Sequence, residues 1–357
     1  MKIAIIGAGN GGQALAGWLG SKGFEISLYD RNPIRIQKIK NNGGIELTGQ
    51  VNVKTSVKTI SDDIDEIIQD AELILVATTA TAHKEIAEKI AKTLTDGQAI
   101  VLNPGRTGGA LEFRNTLKRL VPDKRLYVAE AQTLVFACRI IEDGKVNIIG
   151  IKDRVLVSAI PSSDTPYVIS CLAKGFDCFY PAKNILETSF ENIGAMFHPC
   201  VTLFNEAAIE RGESFYFYRD MTEGLSRLIE ETDRERLEVA KAFGYEAISA
   251  KEWVSYAYGG IKGDTLCERM QNNPAYYDII APKTINCRQI TEDIPTGIVP
   301  LAELGKVAGV PTPLLDSLIT MCSLLLGIDF KSEGRNIHNL GLTGMTKDEI
   351  IRFIDND

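Results

Sequence analysis

The glycine-rich segment near the start of the chain constrains the fold more than any other feature. Gly7, Gly9 and Gly12 have the spacing G-x-G-x-x-G. The apolar, β-branched run Lys2–Ile6 before them predicts a buried parallel strand, and the apolar pattern from Gln13 to Leu19 predicts a helix. Gly7 would make the tight turn, Gly9 would let a pyrophosphate approach the backbone, and Gly12 would let helix and strand pack closely. This combination indicates a dinucleotide-binding fold rather than a glycine-rich turn in another α/β protein.

The end of the second predicted strand carries the residues that distinguish between cofactors. The run Glu25–Tyr29 ends at Asp30, about twenty residues beyond the glycines, where a carboxylate can accept hydrogen bonds from the adenosine ribose. Arg31 follows, and an Arg at this position can hold the 2′-phosphate of NADP. Because Asp30 would repel that phosphate, we expect NAD, with NADP as the alternative.

Strands and helices continue to alternate, which predicts a doubly wound parallel sheet. Further strands are predicted at Leu73–Ala77, Ala99–Leu102, Leu126–Glu130, Lys145–Ile151, Arg154–Ala159 and Phe176–Tyr180. Ligands of such sheets bind at the carboxyl ends of the strands, so the loops at Thr78 and Asn103 join the glycine turn. The predicted cofactor-binding residues are Gly7, Gly9, Asn10, Gly11, Gly12, Asp30, Arg31, Thr78 and Asn103.

From about Asn184 the pattern becomes helical. Long helical patterns cover Ser189–Arg211, Thr222–Ala242, Thr312–Leu326 and Lys347–Ile354. We therefore predict an α/β protein with an N-terminal Rossmann domain over residues 1–183. An all-helical C-terminal domain over residues 184–357 would bind the substrate and carry the catalytic residues.

Composition argues against several classes of partner. The 357 residues include 39 Lys and Arg against 47 Asp and Glu, a formal charge of −8, which disfavours nucleic acids and anionic membranes. No stretch approaches the roughly 20 apolar residues of a membrane span. Seven scattered cysteines without C-x-x-C predict reduced thiols in a cytoplasmic protein and no zinc or other metal site.

A dehydrogenase needs a group that gives or takes a proton as the hydride moves. The three histidines are His83, His198 and His338. His198 lies in the segment ENIGAMFHP, where Pro199 predicts a disturbed helix. A histidine in an apolar helix can equally be a core residue.

A second polar cluster covers residues 286–297 and includes Pro295 and Gly297, which predict a turn or loop. Arg288 in this cluster could bind a carboxylate through two parallel hydrogen bonds. One of its acids could orient a histidine and stabilise the imidazolium. On composition alone, the cluster also fits a solvated surface loop.

The motifs together resemble the opine dehydrogenases of the octopine/nopaline dehydrogenase group. The similar segments are GAGNGG, NPGRTGG, ENIGAMFHP, RQITEDIPTGIVPLAELGKVAGVPTP and EGRNIHNLGLTGMT, which span essentially the whole chain. The resemblance implies NAD(P)H-dependent condensation of an amino acid with a 2-oxo acid such as pyruvate, and the reverse oxidation. It implies that His198 and Asp293 form a catalytic dyad and that Arg288 anchors a substrate carboxylate. Gln132 and Thr133 are further substrate-binding candidates, and Tyr216–Tyr218 either line the amino-acid pocket or belong to the core.

Two other classes of function remain open at this stage. A reductase of a single 2-oxo or hydroxy acid, such as a ketopantoate reductase, shares the architecture, but no corresponding Lys–Asn pairing is evident near Asn192. A non-catalytic nicotinamide-binding sensor would be expected to have a broken dyad, whereas His198 and Asp293 are both present. The sequence leaves the amino acid, the 2-oxo acid and the oligomeric state open, a homodimer included.

Overall fold

A computed structural model describes residues 1–257 and 259–356, which form two compact units. The first unit contains Met1–Thr188 and the residues from Phe353 onward, and the second contains Ser189–Arg352. The predicted domain boundary after residue 183 stays a prediction.

The strands of the described residues all lie in the first unit. They are β1 (Lys2–Ile6), β2 (Glu25–Tyr29), β3 (Ile45–Gly49), β4 (Val53–Thr55), β5 (Thr59–Ser61), β6 (Leu73–Val76), β7 (Ala99–Leu102), β8 (Tyr127–Ala131), β9 (Phe136–Glu142), β10 (Lys145–Ile151), β11 (Val155–Ile160) and β12 (Phe179–Pro181).

The main sheet has eight strands in the order β12-β11-β8-β7-β6-β1-β2-β5. β1 pairs in parallel with β2 on one side and β6 on the other, and parallel pairing continues from β6 through β7 to β8. The strand order therefore reverses at β1, where ligands of such sheets bind. This confirms the doubly wound sheet, although β11 runs antiparallel to β8.

A second sheet, in the order β4-β3-β10-β9, was not predicted. Lys145–Ile151 is a strand as expected, but it pairs with β9 and β3 instead of joining the main sheet. Strand β4 has only three residues, none of them buried, and β3 alternates buried and partly exposed residues, so neither is a continuous apolar run in the sequence. This sheet packs against the helix that follows the glycine turn.

The helices occur in both units. They are α1 (Asn10–Ser21), α2 (Pro33–Asn41), α3 (Ile64–Ile68), α4 (His83–Ile90), α5 (Gly109–Leu120), α6 (Thr165–Leu172), α7 (Ile185–Phe190), α8 (Gly194–Leu203), α9 (Glu206–Glu210), α10 (Glu223–Ala242), α11 (Ala250–Ala257), α12 (Leu266–Gln271), α13 (Arg288–Thr291), α14 (Val299–Ala308), α15 (Pro313–Leu326), α16 (Phe330–Glu333) and α17 (Lys347–Asn356). No helix in the described part of the chain is long and apolar enough to cross a membrane.

The second unit is helical, as the pattern predicted, but one of the predicted helices is not continuous. The expected continuous helix Ser189–Arg211 is divided into three pieces. The first break falls at Asn192-Ile193 before Gly194, and the second at Asn205, whose φ of −119° is not helical. Asn and Gly both favour helix ends, which explains the division. It leaves His198 on the short helix α8.

Candidate active site

The glycine turn has the geometry that a dinucleotide requires. Gly7 has a φ of +100°, a conformation that L side chains rarely adopt. A Cβ at position 12 would lie 1.7 Å from the carbonyl oxygen of Gly7, so only glycine fits there. A Cβ at position 9 would meet no described atom within 4 Å. Gly9 therefore leaves open space in front of the N-terminus of α1, where phosphates bind.

Two other candidates lie at the same edge of the sheet. Thr78 follows β6 and is so close to the turn that a Cβ on Gly7 would lie 2.8 Å from its Cγ2. Asn103 follows β7 and is only 2% exposed. Its amide oxygen and nitrogen both lack a hydrogen-bond partner among the described residues. A buried amide in this state fits a site whose partner is a bound ligand.

Backbone N–H groups fix the side chain of Asp30 at the end of β2. Ala8 N–H donates to its Oδ2 (2.8 Å) and Asn32 N–H donates to its Oδ1 (2.9 Å). The guanidinium of Arg35 lies 3.1 Å from Oδ2, whereas the side chain of Arg31 is exposed. Partial burial lowers the pKa of Arg35, but the carboxylates of Asp30 and Asp143 outweigh it, and the pKa is raised overall. The sequence pattern indicates Arg31 as the cation at this position, whereas the structure places Arg35 there.

The glycine turn is also tied to the second sheet. The Asn10 side chain accepts from Ile140 N–H (2.8 Å), and the thiol of Cys138 donates to the Asn10 carbonyl (3.4 Å). Burial raises the pKa of Cys138 to about 11, so the thiol stays protonated near neutral pH. Gln13, which is fully buried, donates to the Ala8 carbonyl (2.8 Å) and accepts from Gly144 N–H (2.8 Å).

In the second unit, the structure brings His198 and Asp293 together. His198 Nδ1 lies 2.7 Å from Asp293 Oδ2. The Asp293 side chain is 1% exposed and that of His198 is 16% exposed. An ionised carboxylate only accepts hydrogen bonds, so Nδ1 carries the proton and Nε2 is the basic nitrogen of the neutral ring. This is the arrangement of a general base held by a carboxylate.

Local structure explains how the two residues meet. Asp293 immediately precedes a π-helical turn, Ile294–Ile298, a feature that is frequent at functional sites. A Cβ at Gly297 would lie 2.6 Å from the Cβ of Ala195, so glycine lets this turn lie directly against α8. Close packing of the turn on α8 holds Asp293 beside His198.

The expectation of a loop at the second polar cluster was wrong. Pro295 and Gly297 do not mark a loop, because residues 288–308 are largely helical and residues 293–302 are buried. The reading of this cluster as a solvated surface is therefore excluded for Glu292 and Asp293, which are 4% and 1% exposed. Helix α8 continues through Pro199, and this residue has no N–H to donate to the Ala195 carbonyl, so one helical hydrogen bond is missing there as expected.

Tyr218 is a site residue that sequence reasoning treated only as a pocket or core candidate. Its hydroxyl lies 2.9 Å from His198 Nε2, and its ring stacks on Tyr276 with centroids 4.5 Å apart. Since Nε2 is unprotonated in the neutral ring, the Tyr218 hydroxyl donates to it. Tyr218 lies in a turn twenty residues after His198 and outside α8, so no periodic pattern in the sequence indicated the contact.

Tyr218→Phe is expected to lower kcat about tenfold, because Nε2 of His198 loses the hydroxyl that hydrogen-bonds it while it gives or takes a proton, an interaction of ~1.5 kcal/mol. Steady-state kinetics with each substrate varied separately provide the measurement. A raised KM for the amino acid with unchanged kcat would show instead that Tyr218 only lines the pocket.

The three substrate-binding candidates lie in different settings. Arg288 begins α13 and is exposed, with no ion pair to any residue that the structure describes. Gln132 and Thr133 follow β8 and are half-buried. The Gln132 side-chain oxygen accepts from Leu156 N–H (3.1 Å), which orients its amide along β11. Within residues 1–257 and 259–356, no group of three or more His, Cys, Asp or Glu side chains could hold a metal ion.

Comparison with known proteins gives consistent matches. The family described as "NAD/NADP octopine/nopaline dehydrogenase, alpha-helical domain" matches residues 181–326, and "NAD-dependent glycerol-3-phosphate dehydrogenase N-terminus" matches residues 2–112. The opine dehydrogenase of Arthrobacter sp. (strain 1C) is 36% identical, with 96% of each chain covered.

Solved structures share the fold. Octopine dehydrogenase with NADH and L-arginine has a TM-score of 0.79 at 22% identity, covering 100% of this chain and 98% of that one. Yersinopine dehydrogenase with NADP⁺ bound has a TM-score of 0.73 at 15% identity, covering 99% and 97%.

Fold and sequence together define an NAD(P)-dependent oxidoreductase that acts on CH–NH groups. The chain belongs to the octopine/nopaline dehydrogenase family, that is, to the opine dehydrogenases.

Proposed function

We propose that this enzyme reductively condenses the amino group of an amino acid with a 2-oxo acid such as pyruvate, and catalyses the reverse oxidation. The observation that carries the proposal is the His198–Asp293 pair, 2.7 Å apart, in the helical unit that matches the opine dehydrogenase family. A buried carboxylate on Nδ1 fixes the ring so that Nε2 is the nitrogen that can exchange a proton with a substrate.

The reaction divides into condensation and reduction. The amine and the 2-oxo acid lose water to form an imine, and the nicotinamide, when bound, supplies the hydride that reduces the imine carbon. His198 gives the proton that the nitrogen requires and takes it back in the oxidative direction. Asp293 keeps the Nδ1 proton in place so that Nε2 remains the reactive nitrogen. The Tyr218 hydroxyl hydrogen-bonds Nε2 of His198 while the imidazole ring gains or loses a proton.

Both substrates carry a carboxylate, and Arg288 is the proposed anchor for one of them. A guanidinium can bind a carboxylate through two parallel hydrogen bonds. No ion pair links its side chain to a residue that the structure describes, so the guanidinium is available to a substrate carboxylate. Gln132 and Thr133, which follow β8, are proposed as further substrate contacts.

The proposed cofactor contacts are the glycine turn (Gly7, Gly9, Asn10, Gly11 and Gly12), Asp30, Arg31, Thr78 and Asn103. We propose NADH as the preferred cofactor, since the carboxylate of Asp30 is fixed where a 2′-phosphate would lie. One structural relative is described with NADH and another with NADP⁺, so the fold itself accepts either cofactor.

A cytoplasmic location is part of the same proposal. All seven cysteines are free, which suits a reducing compartment. The assembly state, monomer or homodimer, is measured by light scattering after gel filtration.

The test is oxidation of NADH by a matrix of amino acids combined with 2-oxo acids. We expect NADH oxidation only where both substrates are present, because the reducible group is the imine. Oxidation with a 2-oxo acid alone, unaffected by any amino acid, would overturn the proposal in favour of a ketopantoate-reductase-like or hydroxyacid dehydrogenase.

A further inference from the structure

The turn between β9 and β10 places a second carboxylate close to the cofactor-discriminating end of β2. Asp143 Oδ1 accepts from Arg35 Nε (3.1 Å), and Gln13 Nε2 lies 3.5 Å from the same oxygen. Lys38 Nζ lies 3.7 Å from Oδ2. The Asp143 side chain is 18% exposed, so this carboxylate is largely withdrawn from water.

Arg35 connects this carboxylate to Asp30. Its Nη1 lies 3.1 Å from Asp30 Oδ2 while its Nε is bound to Asp143 Oδ1. The two acids therefore hold one guanidinium from two sides. Lys38 also contacts Asp143, with its Nζ 3.7 Å from Oδ2, but its side chain is 62% exposed. Exposed ion pairs add little free energy, so Lys38 neutralises the Asp143 carboxylate less than Arg35 does.

This arrangement lowers the affinity of the site for a 2′-phosphate. An Arg near the end of β2 is the usual means of accommodating that phosphate, and Arg35 lies beside Asp30. Its charge, however, is shared between two carboxylates, so the three groups together carry −1. A phosphate would have to displace a carboxylate from Arg35 and would still meet the other one.

We propose that Asp143 is a specificity-determining residue that favours NADH over NADPH by holding Arg35 against Asp30. It acts as a positioning residue, because its contact is with Arg35 and not with the cofactor. The inference rests on the proposed role of Asp30 at the ribose.

Asp143→Asn tests the proposal. The amide oxygen can still accept from Gln13, but the charge that holds Arg35 is removed. We expect the ratio of the NADPH to the NADH dissociation constant to fall about tenfold, the effect of freeing one charge-assisted hydrogen bond for the phosphate. Titration of cofactor fluorescence measures both constants.

The adjacent residue provides a matched control. Glu142→Gln removes one negative charge from an exposed position that neighbours this turn, and no ion pair links Glu142 to a described residue. We expect it to leave the ratio unchanged. An equal shift in this variant would mean that net charge, and not the hold on Arg35, sets the preference, which would overturn the proposal.

Variants of Arg35 complete the test. Arg35→Gln should weaken NADPH binding, because it leaves two uncompensated carboxylates. In the double variant Arg35→Gln with Asp143→Asn, the gain for NADPH seen with Asp143→Asn should disappear. Three results would each overturn the proposal. They are a gain for NADPH that persists without Arg35, an equal weakening of both cofactors by Asp143→Asn, and a wild-type enzyme that prefers NADPH. These titrations need neither substrate, so they are independent of whether the opine-forming reaction occurs.

Discussion

Replacing His198 with Asn is expected to lower kcat by about 10²–10⁴-fold, the usual contribution of a general acid or base. Asparagine can hydrogen-bond to Asp293 but cannot transfer a proton near neutral pH. NADH affinity should change little, because the proposed cofactor contacts all lie in the first unit. Stopped-flow measurement of NADH oxidation and a separate NADH titration distinguish the two effects.

The chain offers a matched control for this substitution. His338 lies in the same unit and is exposed, and His338→Asn should leave kcat near the wild-type value. Because Asp293 is buried, the thermal midpoint of the His198 variant must be measured to separate lost chemistry from lost stability. A folded His198→Asn enzyme with near-normal kcat on every active substrate pair would remove His198 from the mechanism.

Arg288→Lys should raise the KM of one carboxylate substrate, about 30-fold if the bound substrate buries the pair, which corresponds to about 2 kcal/mol. Lysine keeps the charge but is a point donor and cannot reproduce two parallel hydrogen bonds. A misplaced substrate should also lower kcat. The KM of the amino acid and that of the 2-oxo acid, measured separately, identify which carboxylate Arg288 binds.

Arg227→Lys is the control for this change, since Arg227 is an exposed Arg on α10 with no ion pair among the residues described. It should leave both KM values unchanged. Unchanged KM values for both substrates in Arg288→Lys would exclude Arg288 from the site and leave it as a solvated surface residue.

The glycine turn and several strands of the first unit could be predicted from the sequence. Each glycine of the turn has the local geometry that its spacing predicted: Gly7 has positive φ, Gly9 borders open space and Gly12 contacts the backbone of Gly7. Strands β1, β2 and β7 have the predicted bounds: β1 and β7 are short apolar runs, and β2 alternates buried and partly buried residues. These features depend only on neighbours in the sequence.

What sequence reasoning missed depends on long-range pairing. Arg35 and Asp143 are far apart in the chain, and they meet only because β9 and β10 form a second sheet that packs beside α1. Neither residue belongs to a short motif, so composition could not single them out. Strand register, which brings Asp143 to Arg35, is set by the folded sheet.

The candidate dyad is an intermediate case. From composition alone, His198 could be a catalytic or a core residue, and the cluster around Asp293 could be functional or a solvated surface loop. Only the family resemblance predicted that His198 and Asp293 form a pair. The 2.7 Å contact depends on the π-helical turn and on Gly297, which the sequence pattern indicated only as a loop. Pro and Gly are strong loop signals, but here tertiary packing against α8 outweighs them.

The most direct test of the central claim is to follow the hydride itself. The enzyme is incubated with NADH dideuterated at C4, an amino acid and a 2-oxo acid found active in the substrate matrix, and the products are analysed by mass spectrometry. We predict one deuterium on the former carbonyl carbon of an N-(1-carboxyalkyl) amino acid, because the imine carbon accepts the hydride. Deuterium in a 2-hydroxy acid, with the amino acid recovered unchanged, would contradict the account.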